Sequence, residues 1–94
     1  MRRGGPSGKA EEILRSYHYL RLIRVLAESQ EPCTKYAIHL RTGLSFKQIS
    51  EILDILMRYG WVGEHDYQPR KYSLIRSHEG VQLLLTLLEK LNYL

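Results

Sequence analysis

The sequence predicts an α+β domain, mostly α, in which three helices lead into a β-hairpin and a last helix. Three observations predict it. Apolar residues recur at helical spacing through residues 10–29, 45–60 and 77–92. The stretch "WVGEHDYQPRKYSLIRS", residues 61–77, turns strand-like around Gln68-Pro69. Between the helical stretches, "SQEPCT" and "TGLS" supply turn and capping residues. With 94 residues, the chain makes one small domain with little room for an enclosed catalytic cavity.

The first helix is expected from Ala10 to about Ser29. Ile13, Tyr17 and Leu20 form one row, with Leu14, Leu22, Val25 and Leu26 on a flanking row, so the stripe is wide enough to pack on two sides. Glu11 and Glu12 suit the positive end of its dipole. Pro32 breaks it. Thr34 is placed to cap a short helix from Lys35 to about Arg41, and Thr42-Gly43 closes it with Gly43 left-handed. Ser45 then caps a third helix, with Gln48 three residues later as in a capping box. Ile49, Ile52, Leu53 and Leu56 mark its inward face, and Gly60 its end. Trp61-Val62 and Tyr72 to Ile75 read as the two hairpin strands, with a tip near His65 to Arg70. Ser77 is expected to start the last helix, running to about Asn92.

Several function classes are excluded or left without support. No apolar run approaches the ~20 residues that cross a bilayer, and "MRRGGPSGKA" lacks the apolar core of a secretory signal. The chain reads as soluble and cytoplasmic. Cys33 is the only cysteine, so it reads as a small buried hydrophobe, and His18, His39, His65 and His78 lack ligand spacing. No nucleophile–base pair, paired-carboxylate motif or phosphate loop is evident, so an enzyme is not expected, and neither is a metal or cofactor.

Charge is unevenly spread. The chain carries 14 Lys and Arg against 10 Asp and Glu, formally +4. Arg2, Arg3 and Lys9 fall in residues 1–9, read as a flexible basic arm; removing those three leaves 11 basic against 10 acidic side chains, a body of net +1. Such an arm suits nucleic-acid contact, and it suits a solvated tail equally.

The last helix is unusually rich in leucine. Val81, Leu84, Leu85, Leu88 and Leu91 share one face of "VQLLLTLLEKLNYL", and Leu83, Leu87 and Leu94 a second. A single small core cannot bury both, so a homodimer through this helix is expected, with the first set as its interface.

Helix, short helix, tight turn, helix, hairpin, helix is the order of a winged helix-turn-helix domain. "TKYAIHLRTGLSFKQISEILDILMRYGWV" resembles the core of the MarR-like and small archaeal winged-helix transcription regulators. Ile38 matches the apolar residue five positions before the turn Gly43; Leu44 and Ser45 follow it; Ile49 and Ile52 stand six and nine positions after it. Gly60-Trp61-Val62 is similar to the passage into the wing, and "SHEG", Ser77 to Gly80, to the family's Thr-x-x-Gly. The resemblance covers residues 12 to about 90. Two positions depart from it: His39 stands where a small residue is usual, and Tyr72 to Ser77 is longer than Tyr-x-Leu-Thr. The implied organisation is an arm over 1–9, a winged helix-turn-helix over 10–76 and a dimerisation helix over 77–94.

The resemblance also implies a site. In this fold the third helix enters the major groove of double-stranded DNA and the wing follows the backbone. Carried over by position, Ser45, Phe46, Lys47, Gln48, Ser50 and Glu51 would face base edges. Lys47 would donate to guanine, Gln48 pair with adenine, Glu51 accept from cytosine, and Phe46 touch a thymine methyl or simply pack. Lys35, Arg70 and Lys71 would meet phosphate, and Arg2 and Arg3 a minor groove. The blander reading makes Lys47–Glu51 and Asp54–Arg58 surface ion pairs on a face of zero net charge, with the domain serving as a protein-interaction module or a non-specific architectural DNA binder. Tyr17, Tyr36, Tyr59 and Tyr72 are expected to pack internally, which argues against single-strand binding. Some relatives hold a small apolar effector between dimer helix and body; no residue here argues for one.

Overall fold

The computed structural model describes residues 6–94, with side chains from Ser16 onward; Arg2 and Arg3 lie outside the described residues. Among these, four helices and a small three-stranded antiparallel sheet follow one another as α1 (Pro6–Glu28), β1 (Cys33–Thr34), α2 (Lys35–Thr42), α3 (Phe46–Arg58), β2 (Val62–His65), β3 (Lys71–Leu74) and α4 (Glu79–Lys90). This α+β, mostly helical order is compatible with a winged helix.

Helix α1 begins at Pro6, not Ala10, so residues 6–9 of the expected arm are helical. Proline is at home in the first helical turn because its missing N–H is not needed there. Leu22, Ile23, Val25 and Leu26 are buried on its inward side. At its end the Ser29 amide and hydroxyl both donate to the Val25 carbonyl, at 3.1 and 2.7 Å. Arg76 donates to the Ala27 carbonyl at 2.9 Å, tying the approach to α4 onto α1.

Local chemistry sets the α2–α3 corner. The Thr34 hydroxyl accepts from the Ala37 amide at 3.0 Å. Gly43 stops α2 at φ +76°, a left-handed conformation that costs a side-chain-bearing residue about 1 kcal/mol or more. Thr42, 1% exposed, donates to the Ile38 carbonyl at 2.7 Å and accepts from the Leu44 amide at 3.1 Å. Its own carbonyl accepts from the Arg21 guanidinium of α1. Ser45 and Gln48 form the reciprocal capping box, at 3.1 and 3.0 Å.

Ile49, Ile52, Leu53 and Leu56 of α3 are all buried, each contributing roughly 1.5–3 kcal/mol of transfer free energy. The helix closes with Gly60 N–H donating to Met57 O (3.0 Å) and Trp61 N–H to Leu56 O (2.9 Å), a Schellman ending. In the sheet β3 is central, in the order β1-β3-β2, with Cys33 opposite Tyr72 and Glu64 opposite Tyr72 on the other side. Tyr72 and Leu74 alternate inward as the period of a strand requires. The strand β1 was not foreseen: two residues carry no periodicity, and their pairing partner is far along the chain.

The last helix is capped by His78, not by Ser77. The His78 Nδ1 accepts from the Gly80 amide at 2.9 Å. Gly80 is needed because Trp61 packs against it: a Cβ there would stand 2.9 Å from the indole. At the far end Tyr93 N–H reaches Leu88 O (2.9 Å), and the Tyr93 ring lies 5.0 Å beneath the Arg24 guanidinium.

The inward face of α4 corrects one expectation. Val81 and Leu88 are 1% and 4% exposed, and Leu84 and Leu85 pack partly against the core. Four of the five residues expected at a dimer interface therefore belong wholly or partly to the protomer's own core. The core needs them because the short β-sheet offers few apolar side chains of its own. The outward apolar row is Leu83, Leu87, Leu91 and Leu94, 66%, 51%, 65% and 37% exposed.

Candidate functional site

Of the residues predicted to face a ligand, Lys35, Phe46 and Arg70 meet at one groove where the starts of α2 and α3 face the hairpin. Ser45, Phe46, Lys47 and Glu51 are exposed; Gln48 and Ser50 are half-buried. The Gln48 carbonyl accepts from the Ser45 amide in the capping box, and its second lone pair and its NH₂ remain for the two bonds that pairing with adenine needs. Ser50 accepts from Lys35 Nζ at 3.0 Å, so Lys35 bridges the start of α2 to the middle of α3.

The surface ion pairs that the blander reading placed on α3 are not formed. Among the described residues the salt bridges are Arg24–Glu28, Arg41–Glu28 and Arg70–Glu64; neither Lys47–Glu51 nor Asp54–Arg58 closes. The outer face of α3 is therefore not paired with itself. The hairpin is more engaged. Arg70 lies 3.3 Å from the Glu64 carboxylate, an exposed pair worth about 0–1 kcal/mol, and the Lys71 ammonium sits 5.0 Å from the centre of the Tyr67 ring. The Tyr72 hydroxyl donates to the same Glu64 oxygen at 3.3 Å. Burial first, and then the negative Glu64, hold the Tyr72 hydroxyl above the ordinary tyrosine pKa, so it stays a proton donor.

A groove of about 410 Å³ runs between these elements. Its α2–α3 wall is Thr34, Lys35, Tyr36 and Phe46. Pro69, Arg70 and Tyr72 of the hairpin form the other. Phe46 is held in place by the His39 ring, stacked on it at 4.8 Å and 24° between planes. The His39 Nδ1–H in turn donates to the Leu44 carbonyl at 2.7 Å. His39 thus braces the turn and supports Phe46.

Sequence reasoning misplaced three tyrosines. Tyr17, Tyr36 and Tyr59 are 51%, 61% and 68% exposed, while only Tyr72 of the expected four is buried, at 4%. Helical periodicity put them near an apolar flank, but the core is filled by aliphatic side chains before it reaches them. Cys33 is buried, as expected, its thiol 3.1 Å from the Ser29 hydroxyl. Among the described residues no group of His, Cys, Asp and Glu is arranged to hold a metal ion, and no helix is long and apolar enough to cross a membrane.

Comparison of the chain with protein-family models, with curated proteins and with solved structures finds no match.

Proposed function

We propose that this chain is a winged helix-turn-helix protein that binds double-stranded DNA as a homodimer and regulates transcription. The observation that carries the reading is the outer face of α3. Ser45, Lys47 and Glu51 are exposed, no ion pair joins Lys47 to Glu51, and Arg70 of the β2–β3 hairpin stands across the groove from Phe46 at the start of the same helix. A helix presenting exposed donors and acceptors beside a hairpin that carries Arg70 and Lys71 suits major-groove readout with backbone contact alongside. Lys47 donates to guanine O6 or N7, Glu51 accepts from cytosine N4, and the Gln48 NH₂ donates to a base acceptor. Lys35, Arg70 and Lys71 meet phosphate, Arg70 by exchanging Glu64 for a phosphate oxygen.

The dimer forms through the outward row of α4, Leu83, Leu87, Leu91 and Leu94. Leu83 and Leu87 lie on one side of the helix, Leu91 stands at its C-cap and Leu94 just beyond it. A two-fold axis there repeats α3 across a pseudo-palindromic site and doubles every contact. A second reading is favoured by that same row: exposed leucines also suit a protein-interaction module that docks on a larger partner while α3 stays solvated.

Duplex titration at several salt concentrations separates the two. Lys47→Ala is expected to weaken a preferred duplex by roughly 1–3 kcal/mol. Reversing Arg70 and Lys71 to Glu is expected to weaken all duplexes and to flatten the salt dependence. Unaltered affinity with an unaltered salt dependence after the reversal would remove the hairpin from the interface.

A further inference from the structure

We infer that the groove between α2, Phe46 and the hairpin takes one unpaired nucleotide, its base stacked on the exposed rings of Phe46 and Tyr36 and its phosphate on Lys35. The inference rests on the duplex-binding reading only for its location: DNA lying along α3 would bring a strand end, or a base outside the double helix, to this groove.

Three features of the groove carry it. Its lining includes three aromatic rings and two cations, Lys35 and Arg70, and no acid; Glu64, which holds Arg70 at 3.3 Å, stands outside the lining. The rings are accessible, Tyr36 at 61% and Phe46 at 47% exposure. Phe46 is also pre-positioned, because His39 stacks behind it and is pinned by its bond to Leu44, so little freedom remains to be lost on stacking.

Lys35 completes the arrangement. Its ammonium is fixed by the Ser50 hydroxyl at 3.0 Å and lies 5.8 Å from the centre of the Tyr72 ring. Among the described residues no carboxylate is within ion-pair distance of it. A fixed cation beside open aromatic faces is the chemistry that recognises single-stranded nucleic acid. Paired bases inside a duplex are stacked on one another and offer such rings no open face. A volume of about 410 Å³ falls within the roughly 300–1,000 Å³ of small-ligand sites. A proline-rich peptide would also find aromatic walls there, but it has no anion for Lys35 and Arg70.

The test uses the full chain and fluorescein-labelled DNA: a blunt duplex, the same duplex with a single-stranded thymidine tail, and oligothymidine alone. The tailed duplex is expected to bind roughly fivefold or more tightly than the blunt one, the effect of one stacked base. Tyr36→Leu is expected to abolish that preference while leaving blunt-duplex affinity unchanged. Should Tyr36→Leu lose its helical circular dichroism, the wild-type chain still decides. Its Phe46 ring protons must shift upfield when oligothymidine is added, and unshifted protons would overturn the inference. Equal affinity for tailed and blunt duplexes overturns it too and leaves the duplex reading standing. Retention of oligothymidine with shifted Phe46 protons, but of no blunt duplex, supports the groove and removes the duplex reading instead. Shifts of the Phe46 ring protons on adding a proline-rich peptide, but not oligothymidine, overturn the nucleotide assignment.

Discussion

Helices α3 and α4 are close in length, 13 and 12 residues, yet they use their surfaces in opposite ways. Helix α3 sends Ile49, Ile52, Leu53 and Leu56 into the core, keeps Ile55 and Met57 half-buried, and exposes Lys47, Glu51, Asp54 and Arg58. Helix α4 also sends residues inward, Val81 and Leu88 with Leu84 and Leu85 beside them, but it keeps a second apolar row outside. The difference teaches where the core's demand ends. Four inward residues with Met57 beside them satisfy most of the apolar surface of α3, so much of what remains is free to be polar. On α4 the leucines exceed what one small core can cover, so the surplus is surface chemistry in its own right.

The comparison can be broken most forcefully from inside. Leu53→Ala on α3 empties a fully buried site, and loss of about 2–5 kcal/mol is expected in urea unfolding. Leu87→Ala on the outer row of α4 should change protomer stability by no more than about 0.5 kcal/mol. Equal losses would mean that the two rows are not inner and outer at all.

Next in size is association. Leu83→Glu combined with Leu87→Glu places charges on the outer row without touching Val81 or Leu88. Sedimentation should then show monomers that keep their helical circular dichroism. A dimer that survives both charges would place the interface elsewhere and favour α4 as a site for another partner or none.

Smaller effects sharpen the account of α3. Ser45→Ala opens the capping box and should cost about 1 kcal/mol; a loss near zero would mean that Gln48 and the turn hold the helix start without it. Tyr72 gives a pH signature. Its folded pKa is raised by burial and by Glu64, so its contribution is fully present below the unfolded value of about 10 and is lost as pH rises through the higher folded value. Tyr72→Phe should therefore flatten the alkaline limb of a stability–pH profile. An unchanged limb would remove Tyr72 as its cause.

Much of this architecture was legible because it is written locally. Thr34, Gly43 and the Ser45–Gln48 box act within a few residues of themselves, and each stands where capping chemistry placed it. What was illegible depends on distant partners. The strand β1 exists only through β3; His78, rather than Ser77, caps α4 because its ring reaches back to Gly80 beside Trp61. Which leucine row of α4 turns inward is decided by the rest of the fold, and periodicity alone showed only that there were two. The candidate site followed the same division. The polar face of α3 was evident, whereas the hold of Lys35 on Ser50, the His39–Phe46 stack and the exposure of Tyr36 needed three elements to meet.

The central claim is that the face of α3 reads DNA as a pair. Selection from a random duplex pool, followed by titration of the recovered sequences at two salt concentrations, tests it most directly. The account predicts enrichment of a two-fold symmetric site whose affinity falls on Lys47→Ala. Retention of no duplex even at low salt would contradict it, and would leave the leucine row of α4 as the working surface of the molecule.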